Sequence, residues 1–113
     1  MFDQLKLAKY TVYITDWWLS PEFYLKRPVG SQESFGLNRN SRLDLALKDV
    51  ADRGVEVYII VYQEPTIALN NDSLHTQTYL ERLSENIKVL RHPQQNLVPF
   101  MWSHHEKLVV IDQ

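Results

Sequence analysis

A chain of 113 residues, 44% hydrophobic and 23% charged, has the apolar content for one packed core and a composition unlike that of disordered chains. Its net charge of −2 and isoelectric point near 6.0 weigh against a nucleic-acid-binding module, which carries a basic excess. Without cysteine, disulfides, thiolate metal sites and cysteine nucleophiles are excluded together. The most apolar run, 55–62, falls well short of the roughly 20 residues that a membrane-spanning helix needs. The opening "MFDQLKLAKY" lacks the apolar centre and small-residue cleavage site of a signal peptide. Membrane contact is therefore expected to be peripheral, or supplied by other segments.

In chain order, "KYTVYIT" (9–15) alternates β-branched and aromatic residues and predicts a strand. "LSPEFYLKRP" (19–28) predicts a short helix, with Ser20 as cap, Pro21 in the first helical position and Pro28 as the stop. "VGSQESFGLNRN" (29–40) collects Gly, Ser and Asn without periodicity and reads as a loop. "SRLDLALKDVADRG" (41–54) is the clearest helix. Leu43, Ala46, Leu47 and Val50 recur at helical spacing, Ser41 and Asp44 resemble a capping box, and Gly54 supplies a left-handed stop. "VEVYIIVYQ" (55–63) predicts a strand apolar on both sides, as in a sheet covered on both faces. "NDSLHTQTYLERLS" (71–84) predicts a second helix with Tyr79, Leu80 and Leu83 inward. Its Asn71-Asp72-Ser73 reads as a helix start rather than a glycosylation site. "IKVLRHP" (87–93) is a third strand ended by Pro93, and "LVPFMWSHHEKLVVID" (97–112) holds a short extended piece and a final strand. Alternating strands and helices give an α/β fold: a largely parallel central sheet with helices on both faces.

The closing "WSHHEKLVVIDQ" (102–113) carries the chemistry. In an extended strand, side chains two apart share a face and lie roughly 7 Å from one another. His105 and Lys107 therefore project together, with His104 and Glu106 opposite, in front of a run, 108–111, expected to be buried. An adjacent ammonium disfavours protonation of an imidazole and so keeps it nucleophilic near neutral pH, and it offers a compact charge to a phosphate oxygen. Asp112 is seven residues on and of opposite parity, about 23 Å away along a strand, and is expected to anchor the far end. Adjacent histidines on a strand are poor ligands for one metal, and no metal or other cofactor is expected. His75 and His92 read as structural or surface residues. Ser103 lacks the G-x-S-x-G elbow of a serine hydrolase. Trp17 and Trp18 follow the first strand, where α/β sites collect, but core packing is the commoner fate of such residues.

His105-Glu106-Lys107, four residues and Asp112 form the HxKxxxxD signature of the phospholipase D superfamily. With "ITDWWLSPEFYLKRP" (14–28), "RLDLALKDVADRGVEVYIIVY" (42–62) and "NIKVLRHP" (86–93), the chain resembles the first catalytic half of eukaryotic phosphatidylcholine-hydrolysing phospholipases D. Positions 1–113 then read as a partial N-terminal catalytic lobe ending at the first HxKxxxxD motif. The resemblance implies a bilobal enzyme in which a second HxKxxxxD lobe of the same parent chain meets this one at a single site. It implies His105, Lys107 and Asp112 as the catalytic motif, with His105 attacking phosphorus to form a phosphohistidine and Lys107 holding the phosphate. The implied substrate is the phosphatidylcholine headgroup, met at a membrane surface by a cytoplasmic, peripherally bound protein; no nucleic-acid partner is expected. A single lobe lacks the second histidine and lysine, so the fragment alone is expected to be inactive. Two other readings stand beside this one: a single-motif phosphodiesterase or nuclease completed by homodimerisation, and a non-catalytic interaction lobe.

Overall fold

Period-two alternation along the strands decides which face of the sheet is buried. The computed structural model describes residues 1–26, 41–64, 72–92 and 105–113. Its strands are β1 (Thr11–Asp16), β2 (Glu56–Tyr62), β3 (Ile87–His92) and β4 (Leu108–Ile111). Its helices are α1 (Phe2–Leu7), α2 (Leu43–Asp52) and α3 (Ser73–Leu83). The sheet order is β3-β2-β1-β4, with β1, β2 and β3 parallel and β4 antiparallel to β1. Val12 and Ile14 of β1, Val57, Ile59 and Val61 of β2, and Ile87 and Val89 of β3 turn to one face. There they meet Leu5 of α1, Leu43, Leu47 and Val50 of α2, and Leu80 of α3 in a single core. Tyr79 and Leu83 pack against it, as the helical spacing requires.

The α/β class and the parallel run of strands follow the sequence. All three described helices share one face, so of the two helical layers expected, the described residues supply one. On the other face Tyr13, Tyr58, Ile60, Leu90 and Leu108 are exposed, and Tyr13 stacks on its cross-strand neighbour Tyr58 with ring centres 5.3 Å apart. The expectation of a buried run at 108–111 is corrected here. β4 is an edge strand, and Leu108 and Val109 are 56% and 41% exposed.

A second correction concerns 19–28. After β1 the chain turns at Pro21, with Phe23 N–H donating to Ser20 O. Tyr24 then bridges antiparallel to Arg42. Leu25 N–H donates to Ser41 O and Leu43 N–H to Phe23 O, so backbone groups a helix would use are spent on the 41–43 segment. Pro28 itself lies outside the described residues, as do the loop 29–40, the extended piece before Ser103, and Asn71. The capping box at Ser41 and Asp44 does not form either. Arg42 is the N-cap, its side chain making no capping bond to the first-turn amides, and Asp44 is drawn inward instead. Its carboxylate accepts from Arg42 Nε (3.1 Å) and Nη2 (2.6 Å), from Tyr79 Oη (2.7 Å) and from the Leu45 amide (2.7 Å). Burial opposes ionisation of Asp44, but the Arg42 guanidinium, then Tyr79 and the Leu45 amide, outweigh it and hold the carboxyl below its usual range. Gly54 does end the α2 turn in the left-handed region, at φ +87°.

Side chains finish what the backbone leaves open. Gln77 Nε2 donates to Val89 O and Glu81 Oε1 accepts from Val89 N–H, closing the outer edge of β3 with α3. The Arg53 guanidinium donates to Leu5 O and Ala8 O, capping α1. Asp72 caps α3 by accepting from the His75 amide.

Candidate active site

Because β4 runs antiparallel, Leu108 pairs with Thr15 and Ile111 with Val12. The start of β4 therefore sits at the carboxyl ends of the three parallel strands, where open α/β sheets place their sites. His105 and Lys107 lie there, beside Trp17 after β1 and Tyr62 at the end of β2. Residues 105–107 precede the strand and are exposed, yet the two side chains meet. Lys107 Nζ lies 3.2 Å from His105 Nδ1 and 3.4 Å from Nε2, and donates to His105 O at 3.2 Å. Both ring nitrogens are thus within hydrogen-bonding distance of the ammonium. The arrangement sets a cation beside the ring nitrogens, the atoms through which an imidazole acts as a nucleophile.

Asp112 is at the opposite end of the sheet. It takes a left-handed conformation (φ +55°), and its carboxylate accepts from the amides of Lys9 (2.8 Å), Tyr10 (2.8 Å) and Thr11 (3.2 Å). The Tyr10 amide foremost, then those of Lys9 and Thr11, lower its pKa below the carboxylate range. The structure thus brings two of the three expected motif residues together and holds the third at the far end, clamping β4 to the start of β1. His104 and Ser103 lie outside the described residues.

Trp17 is the residue that sequence reasoning left undecided. Its ring centre is 5.3 Å from that of His105, tilted by 45°; it also lies near-parallel to Tyr62 at 6.3 Å and edge-on to Trp18 at 6.4 Å. Tyr62 shares the parity of the open-face residues Tyr58 and Ile60 but is only 4% exposed. An aromatic residue directly after one strand and another closing its parallel neighbour was the available signal. His75 reads as expected: it is exposed, with Nε2 2.9 Å from Glu22 Oε1, and this bond is the main cause of Glu22's lowered pKa.

No family model matches the chain. Among curated proteins, it is 47% identical over 112 residues to phospholipase D1 of Homo sapiens, covering 98% of this chain. It is 44% identical over 111 residues to phospholipase D2 of Bos taurus and 41% identical over 112 to phospholipase D1 of Saccharomyces cerevisiae, again across 98% of the chain. The chain belongs to the eukaryotic phospholipase D family. It spans a small part of these relatives, 10%, 11% and 6% of their lengths respectively.

Proposed function

We propose that this chain forms half of a phospholipase D active site that hydrolyses phosphatidylcholine to phosphatidic acid and choline. The observation that carries the reading is the His105–Lys107 contact at the carboxyl ends of the parallel strands, in a chain nearly half identical to phospholipases D. A phosphodiester already bears one negative charge and gains more during attack, which a fixed ammonium stabilises. A ring nitrogen of His105 donates its lone pair to phosphorus, and the bond from phosphorus to the choline oxygen breaks. The leaving oxygen takes a proton from an acid in the second HxKxxxxD lobe of the parent chain. Water, giving up a proton to that same group, then attacks the phosphohistidine and releases phosphatidic acid, restoring the imidazole. Asp112 serves this motif by fixing β4. The parent protein meets its substrate on the cytoplasmic side as a peripheral membrane enzyme.

Supplying a primary alcohol tests the reading. With phosphatidylcholine vesicles and butanol, the parent protein is expected to form phosphatidylbutanol and release choline, and the 113-residue chain alone to form none. Choline release from the parent without any phosphatidylbutanol would count against a covalent intermediate. Turnover by the isolated chain would end the half-site reading.

A further inference from the structure

An attacking imidazole must be held in one orientation, yet His105 precedes β4 and is exposed, so no strand ladder fixes it. Lys107 does not lock it either, being nearly equidistant from both ring nitrogens. Among the described residues, the ring it packs against is the indole of Trp17. That indole is fixed from two sides. Tyr62, buried at the end of β2, lies near-parallel to it, with ring planes 15° apart. On the backbone side, Asp16 Oδ1 accepts from the amides of Trp17 (2.7 Å) and Trp18 (3.3 Å), setting the turn that leaves β1. Asp16 and Val61 are register partners, so the two supports share one hydrogen-bonded strand pair.

We infer that Trp17, backed by Tyr62 and set by Asp16, is a positioning residue that holds the His105 imidazole in its attacking orientation. This rests on the phosphohistidine reading above. A flat ring restricts the imidazole to few of the staggered orientations it would sample freely. It does so without bonding either ring nitrogen, so the nucleophile's lone pair is not consumed. Misplacing a reacting group by about 1 Å can cost on the order of 10²-fold in rate. A contact made equally in ground and transition states would move KM instead.

The test uses the parent protein with Trp17→Ala, Trp17→Leu and Trp17→Phe, assayed for choline release from phosphatidylcholine vesicles. Trp17→Ala and Trp17→Leu are expected to lower kcat by about ten- to a hundredfold, with KM within about twofold. Trp17→Phe, which restores a flat ring, is expected to regain most of kcat. Trp17→Leu keeps apolar bulk and carries the test if Trp17→Ala folds poorly. An unchanged kcat in Trp17→Leu would overturn the inference, as would a raised KM with kcat intact, which would make Trp17 a lipid contact. Leucine serving as well as phenylalanine would also overturn it. His105→Ala assayed alongside separates the two readings. If that variant stays active, the phosphohistidine reading has failed; if it is dead while the Trp17 variants keep kcat, only the positioning role has failed.

Discussion

Replacing His105 with alanine in the parent protein is expected to lower phosphatidylcholine turnover by at least about 10³-fold, the scale on which loss of a covalent nucleophile is felt. Folding is expected to be untouched. His105 is exposed and lies outside the hydrogen-bonded part of β4, so little packing is lost. The comparison that matters is therefore activity against thermal melting. Lost turnover with an unchanged melting temperature supports a chemical role. A parallel fall in both would mean that the imidazole supports the fold instead, and activity within tenfold of the unaltered protein would remove it from the reaction.

The largest effect on stability is expected at Arg42. Asp44 is 1% exposed, and Arg42 supplies two of its hydrogen bonds and its countercharge. Among the described residues, Arg42→Leu leaves the buried carboxylate with Tyr79 and a backbone amide, a change that costs about 3–5 kcal/mol where a buried pair loses one partner. Replacing both residues, Arg42→Leu with Asp44→Leu, is expected to recover much of that loss, since no charge then remains inside. Denaturant unfolding of the chain reads the difference, and a double variant no more stable than the single one would contradict it. The same carboxylate sets a pH dependence. Its folded pKa is depressed, so its contribution is full above the unfolded value near 4 and is lost as pH falls through the folded value. Acid unfolding of the chain is expected to shift accordingly, and Arg42→Leu to weaken that dependence.

Much of this was legible in the residues, for physical reasons that differ by element. The heptad-like run Leu43, Ala46, Leu47, Val50 can bury one stripe only as a helix, and α2 forms there. Alternation at 9–15 and the apolar, β-branched runs at 55–63 and 87–93 placed β1, β2 and β3 to within two residues. The segment at 19–28 misled because its cap and prolines suit a helix start, while its backbone groups found partners at 41–43 across a long loop, a tertiary preference no local pattern carries. Helix α1 was missed because it is short and buries a single residue, Leu5. At the site, strand spacing correctly separated Asp112 from His105 and Lys107. Strand direction was not legible. That β4 runs antiparallel, and so delivers His105 to the ends of β1 and β2, depends on pairing with β1 rather than on any feature of 105–111. The partnership of Trp17 with Tyr62 was hidden likewise, because residues 45 positions apart meet only once β1 and β2 are in register.

The central claim is that the His105 nitrogen bonds to phosphorus with the Lys107 charge at its side. Rapid quenching of the parent protein during turnover of phosphatidylcholine, followed by peptide mass spectrometry under conditions that spare phosphoramidates, tests it directly. A phosphatidyl adduct on the peptide carrying His105, absent from His105→Ala, is the result predicted. An adduct confined to another residue while His105 stays unmodified would contradict it.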